Sequence, residues 1–314
     1  MAGRTVEPGE RKRIEIPVAR VPATRLLMPM PVEVLVGREE GPRVWVSGVI
    51  HGDELNGVEI VRQLLGLLDP AKLRGAVLAV PIVNMFAFVA QSRYLPDRRD
   101  LNRSFPGTSR GSLAARLADV FMREIVEHCS HGIDLHTGSD HRRNLPQVRA
   151  NLENEETRRC ALAFGAPVII DAHTRDGSLR DAASRRGKHV LLYEAGEPQR
   201  FNRDAVRTGV RGVLRVLEAL EMVEPGTAPP PRVPPTIATT TRWVRARKGG
   251  LVRLEVDLGA RVERGERLGV VADAFGADAA ELKAPEPGIV IGRANNPVAR
   301  QGDALVHLAT VFEG

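Results

Sequence analysis

The chain predicts a mixed α/β fold: a mostly parallel sheet with helices on both faces, followed by a small β domain. Three observations carry this. From about residue 43 to 221, short apolar β-branched runs alternate with segments of helical period, the pattern of strands and crossover helices. A proline-rich stretch, VEPGTAPPPRVPP, then interrupts the pattern. Beyond it, only short strands and turns follow. The expected division is 1–222 for the α/β domain, with 1–42 as an extended leader of a strand or two, 223–236 for a semi-rigid connector, and 237–314 for the β domain.

The elements follow in order. RIEIPVARV and PVEVLVG read as strands in the leader. Val44 to Ile50 is a continuous apolar run, the mark of a buried strand, and it passes through HGDE into the amphipathic helix GVEIVRQLLGLL, which stops at Asp69-Pro70. AVLAVPIVN (76–84) is a second strand. A long irregular stretch rich in Arg and Asp, FAFVAQSRYLPDRRDLNRSFPGTSRG, comes next, and loops of that length inside a compact domain are usually functional. A helix over 112–128, capped by Ser112, precedes a strand over 132–136. Helix 153–164, strand 167–171, a helix over 178–186, strand 189–194 and a helix over 201–221 complete the domain.

Bulk composition bounds the function. With 314 residues and 43% hydrophobic content, the chain can build a sizeable core without disulfides. Its two cysteines, Cys129 and Cys160, sit in helix-like stretches without metal-type spacing and read as small buried thiols. Such usage fits a reducing cytoplasm, and the polar N-terminus MAGRTVEPGERKRIE has no signal-like apolar region. The net charge is +6, but the arginines are scattered and aromatics make up only 4%, which argues against nucleic acid. A small anionic substrate accounts for the bias as well, and a homo-oligomer is compatible with everything above. No apolar run approaches the roughly 18 residues of a membrane span.

The chemistry concentrates at strand ends. His51 and Glu54 lie three residues apart after one strand, and His136 ends another in GIDLHTGSD. Open α/β sheets form their sites at the carboxyl ends of strands. Two imidazoles and a carboxylate suit a catalytic zinc, Zn2+, which takes three protein ligands and an open position. The plainer alternative is a helix-capping Asp53 and Glu54 beside a satisfied core histidine. Glu194 ends a third strand in LLYEAGE and suits a general base, with Glu197 its rival further from the strand. Arg93, Arg98, Arg99 and Arg103 crowd the long loop, where a guanidinium can grip a substrate carboxylate in bidentate fashion. Asn102 and Arg103 stand out, pinned between a turn-forming Asp100 and a Pro-Gly stop. Asp134, two residues before His136 on the same strand face, is placed to buttress it or to be a structural carboxylate. His128, His131, His141, His173 and His189 lack partners at useful spacing and read as surface or core histidines.

HGDE, DLNRSFPG, IDLHTG and LLYEAGE, in that order, resemble the succinylglutamate desuccinylase/aspartoacylase family, which is similar to zinc carboxypeptidases of the M14 type. The resemblance spans roughly residues 40–310. It implies His51, Glu54 and His136 as zinc ligands and Glu194 as the base. It implies Asn102 and Arg103 as the grip on the substrate carboxylate, and Arg93 as the group that polarises the amide carbonyl. The spacing to DLNR is about two residues longer than in aspartoacylase, so Arg98 is an alternative to Arg93. Aspartoacylase also uses a tyrosine from its C-terminal domain, whereas this chain's two tyrosines are Tyr94 and Tyr193. The C-terminal pattern resembles a biotinyl/lipoyl-type barrel, but DAFGADAAELKAP lacks the carrier motif and Lys283 falls in the following strand. The expected function is a zinc-dependent amide hydrolase that deacylates an N-acyl amino acid or related small acid. A carboxypeptidase-like peptidase and a non-catalytic binding protein on the same fold are the alternatives.

Overall fold

The computed structural model describes residues 3–20, 25, 27–172, 176–231 and 233–311; His173 lies outside the described residues. In chain order the elements are β1 (Arg11–Arg20), β2 (Leu27–Val36), β3 (Glu39–Gly48), α1 (Asn56–Leu67), β4 (Arg74–Val80), α2 (Met85–Val89), α3 (Leu113–Glu124) and β5 (His131–His136). There follow β6 (Arg142–Ala150), α4 (Glu155–Phe164), β7 (Val168–Asp171), α5 (Leu179–Ser184), β8 (His189–Gly196) and α6 (Arg203–Ala219). The C-terminal part holds β9 (Thr236–Arg245), β10 (Gly250–Leu254), β11 (Arg261–Val262), β12 (Arg267–Ala272), β13 (Ala280–Lys283), β14 (Gly288–Ala294), β15 (Val298–Ala299) and β16 (Ala304–Val311).

One 12-stranded sheet runs through the molecule in the order β1-β2-β4-β3-β5-β8-β6-β7-β9-β16-β14-β11. Its centre, β4-β3-β5-β8, is parallel. The flanks are largely antiparallel, with β1 and β2 on one side and β6 against β8 on the other. Two apolar layers cover it. On one face Ile60, Val61 and Leu64 of α1 pack with Phe164 of α4 and with Val213 and Leu217 of α6. On the other, Leu117 and Phe121 of α3 pack with Ile14 and Ile16 of β1 and with Leu179 of α5. Both faces are therefore buried, which is why the central strands read as unbroken apolar runs.

The C-terminal region departs from a detached barrel. β9 pairs in parallel with β7, and β14 pairs with β6, so β9, β16, β14 and β11 prolong the main sheet. Only β13-β12-β10-β15 form a separate four-stranded sheet. The gain is physical: the open edge of β7 is closed by chain from the same molecule. Lys283 lies within β13, ion-paired to Glu281 at 2.8 Å.

A second difference is a strand the sequence pattern hides. β6 (RRNLPQVRA) carries Pro146 and polar residues at inward positions, so it lacks the alternation expected of a strand. Arg142, Asn144 and Arg149 line the cavity described next.

Candidate active site

β3 ends at Gly48, two residues earlier than its apolar run suggests, because Val49 adopts a φ of 56°. This left-handed conformation is unusual for a β-branched residue and costs on the order of 1–3 kcal/mol. Asn84 holds the kink: its backbone N–H donates to the Val49 carbonyl at 3.0 Å and its side-chain amide to the Ile50 carbonyl at 3.1 Å. The chain then passes Gly52, where a Cβ would lie 2.0 Å from the Ala87 backbone, so only glycine fits. The kink turns His51 and Glu54 toward the end of β5.

There the three residues converge. Nδ1 of His51 lies 2.7 Å from one Glu54 oxygen, and Nδ1 of His136 lies 2.8 Å from the other. Both rings are backed on the opposite nitrogen by carboxylates: His51 Nε2 by Asp100 at 3.1 Å, and His136 Nε2 by Asp134 at 2.8 Å. Asp134 in turn accepts from the Ser47 hydroxyl at 2.9 Å. His51, Glu54 and His136 offer ligand atoms that all lie within 4.8 Å of one another, and all three are buried.

This donor set fits a cation. If each Nε2–H donates to its aspartate, each Nδ1 directs a lone pair at Glu54, and two acceptors at that distance repel unless positive charge lies between them. Protons can supply it. Burial opposes a charged ring, but Glu54 and Asp100 raise the pKa of His51, and Asp134 and Glu54 raise that of His136 well above the ordinary value. Burial likewise opposes the Glu54 carboxylate, yet the two imidazoles hold its pKa far below the usual range. A divalent metal would satisfy the same need with one ion, and carboxylate–histidine pairs are the usual outer support of metal ligands.

The cluster forms one end of a cavity of about 470 Å³. Arg93 reaches over it, donating to Asp100 at 2.8 Å and lying 3.4 Å from Glu54. Glu194 stands opposite His136 in the β5–β8 register and lines the same cavity. Its Oε2 accepts from the Asn144 amide at 2.9 Å and lies 3.6 Å from Arg149 Nε. Asn102 and Arg103 line the cavity too. The Asn102 side-chain oxygen, Oδ1, accepts from the Leu179 backbone N–H at 2.9 Å, so the group its side chain can offer a ligand is its NH₂ donor, which suits an anion. Arg149, Arg180, Trp243 and His307 also line the cavity. Burial, with Arg149 beside it, lowers the Arg180 pKa to about 10. Trp243 stacks on His307, ring centroids 4.2 Å apart, and Arg142 lies over the indole at 5.1 Å. Burial, then Arg149 and Arg142, depress the His307 pKa to about 3, so its ring is neutral.

The model for the succinylglutamate desuccinylase/aspartoacylase catalytic domain matches residues 40–220, more than half of the chain. The chain belongs to the succinylglutamate desuccinylase/aspartoacylase family. It is 30% identical over 312 residues to the N-alpha-acetyl-L-2,4-diaminobutyric acid deacetylase of Halomonas elongata, covering 96% of this chain and 91% of that one. The crystal structure of a succinylglutamate desuccinylase/aspartoacylase from Rhodobacter sphaeroides superposes with a TM-score of 0.87 at 27% identity, covering 99% of both chains. The product-bound ectoine utilization protein EutE (DoeB) of Ruegeria pomeroyi shares the fold, with a TM-score of 0.88 at 24% identity over 99% of this chain and 98% of that one.

Within this family framework the expected residues fall into two groups. His51, Glu54, His136, Glu194, Arg93, Asn102 and Arg103 share the cavity. Arg98 does not. It is exposed on a turn with φ 61°, outside the cavity, so the expectation that it could replace Arg93 is corrected: the turn points it to solvent while Arg93 is held by Asp100. Glu197 lies outside the cavity as well, its carboxylate accepting from the side-chain amides of Asn202 and Asn295. Tyr193 is core, its hydroxyl donating to the Ala205 carbonyl at 2.8 Å, and Tyr94 is exposed. Sequence reasoning did not find Asp100 as the support of His51, nor Asn144, Arg149, Arg180, Trp243 and His307. Asp100 had a signal, the Asx turn it forms with the Asn102 N–H at 2.8 Å. The others had none in the sequence. Among the described residues no helix is long and apolar enough to cross a membrane.

Proposed function

We propose that the protein is a zinc-dependent amide hydrolase that removes the acyl group from an N-acyl amino acid or a related small carboxylic acid. One observation supports this above others: a His-Glu-His cluster, a carboxylate held beside it and a set of arginines occupy a single cavity. Membership of a deacylase family, and the likeness to a deacetylase of an acetylated diamino acid, point the same way.

A zinc ion held by His51, Glu54 and His136 would supply a Lewis acid at the scissile carbonyl. Each other step falls to the chain's own groups. Arg93 donates toward the same carbonyl oxygen and stays charged throughout, so it stabilises the negative charge that develops there. Glu194 takes the proton from the attacking water and returns it to the leaving nitrogen; Asn144 and Arg149 hold its carboxylate in place for both transfers. Asn102 and Arg103 bind the substrate's free carboxylate. Arg149 and Arg180, with Glu194 as the nearby counter-charge, favour a second anionic group on the substrate over a cationic one. The reading is tested by incubating the zinc-loaded protein with a panel of N-acyl amino acids of acidic, neutral and basic side chain, following free amine. Turnover is expected, greatest for acidic substrates. Release confined to C-terminal residues of peptides would replace this reading with the peptidase one.

A further inference from the structure

We propose a second metal site, for a zinc-class divalent ion, formed by His131, Glu156 and Cys160 at the end of β5 remote from the cavity. β5 begins with His131 and ends with His136, so the two sites lie roughly 17 Å apart at about 3.3 Å per residue. Glu156 and Cys160 are one turn apart on α4 and share a face. His131 Nε2 lies 2.9 Å from a Glu156 oxygen, and Cys160 Sγ lies 4.0 Å from that same oxygen. All three ligand atoms fall within 4.8 Å of one another, although 29 residues of chain separate His131 from Cys160.

The donor types fit one class of ion. A thiolate, an imidazole and a carboxylate together suit zinc, whereas magnesium and calcium require oxygen ligands alone. Outer support is in place. His131 Nδ1 lies 2.8 Å from the Ser130 hydroxyl, which also reaches the Arg43 carbonyl at 3.3 Å. Without metal, Nε2–H donates to Glu156 and Nδ1 accepts from the hydroxyl. With metal, Nδ1–H donates to the Ser130 oxygen while the hydroxyl turns to the carbonyl, freeing the Nε2 lone pair. The serine serves both tautomers without movement of the backbone.

Glu156 carries enough lone pairs to keep its ion pair with Arg159, at 2.7 and 2.8 Å, while giving one oxygen to the metal. His189 lies alongside, its ring centroid 5.0 Å from that of His131, with its Nδ1 2.9 Å from the Asn154 side-chain oxygen. Burial pushes the Cys160 thiol up to about 12, so the free thiol is inert. Binding breaks its S–H bond, forms the sulfur–metal bond and releases the proton to solvent, which makes affinity rise with pH. The ion would tie β5 to α4 and so brace the strand whose other end carries His136.

Cobalt(II) titration of the full-length, metal-free chain tests this. The cavity cluster contains no thiolate, so a thiolate-to-cobalt charge-transfer band in the near-ultraviolet reports the second site alone. The wild type should take up a second equivalent of cobalt with that band. Cys160→Ser should lose the band and one equivalent while keeping its hydrolytic rate, and Cys129→Ser should keep both. Absence of the band in the wild type at saturating cobalt overturns the proposal without reference to any variant. So does a band that survives Cys160→Ser and disappears in Cys129→Ser.

Discussion

Two parts of the cavity lining differ in origin. The part that includes the proposed metal ligands comes from short segments that end parallel strands: His51 and Glu54 after β3, His136 at the end of β5, Glu194 near the end of β8. The rest of the lining is assembled from distant pieces: Asn144 and Arg149 on β6, Arg180 on α5, Trp243 on β9 and His307 on β16. The first part is acidic behind its histidines, with Asp100 and Asp134. The second is basic, with Arg142, Arg149 and Arg180. Under the proposed function the first would hold a cation and the second would attract an anion, with the acyl bond to be cut between them.

That contrast predicts how substitutions should separate. The largest effect is expected for Glu194→Gln, which would remove the proposed proton carrier and none of the proposed metal ligands. Turnover should fall by about 10² to 10⁴-fold. Metal content and the thermal midpoint should stay near those of the wild type. Near-normal kcat would mean that a different group moves the proton.

Arg103→Lys probes the anion side and should act on binding. A charge-assisted bidentate contact is worth about 1.5–3 kcal/mol, so kcat/KM for an acidic substrate should drop roughly ten- to a hundredfold although the charge is kept. Amidating the substrate carboxylate should cost the wild type a similar factor and the variant much less. Equal penalties in the two proteins would assign Arg103 another role.

The smallest effect is on stability against pH, and it sharpens the metal side. In the metal-free protein the neighbouring carboxylates hold the folded-state pKa values of His51 and His136 above the ordinary value of 6.5. Their contribution is therefore fully present below pH 6.5 and is lost as pH rises through the folded values. Glu54, depressed below 4.5, contributes above that pH and loses its contribution as pH falls toward its folded value. Metal-free protein should thus be most stable between these limits and soften on the alkaline side. Metal affinity moves the other way, because the ligands must shed protons to bind. The gap in Tm between metal-loaded and metal-free protein should widen from pH 6 to pH 8, as followed by thermal melting at both.

The same contrast explains how much was legible in the sequence. The central α/β rhythm was readable because strands buried on both faces must be apolar throughout. His51, Glu54, His136 and Glu194 stood out as candidates because each is a polar group at or just after the end of such a run, and the structure brings the four to one cavity. β6 was not readable: Asn144 and Arg149 line the cavity and Gln147 is buried against the Ile291 carbonyl, so polar residues stand where an ordinary strand would carry apolar ones. Trp243 and His307 were hidden for a different reason. They meet through the antiparallel pairing of β9 with β16, a register that local periodicity does not encode. Asp100 lay in plain view as a turn residue, and only its contact with His51 across 49 positions reveals the second task.

The central claim is that the His51–Glu54–His136 cluster holds the metal on which amide hydrolysis depends. The direct test is to strip the protein with a chelator, measure amine release from the best N-acyl amino acid, and repeat after adding one equivalent of zinc, in parallel with His136→Ala. Activity should vanish on stripping and return on reloading in the wild type, and should return in neither condition for the variant. Turnover that persists in fully metal-free protein, or that zinc restores equally to His136→Ala, would contradict the account.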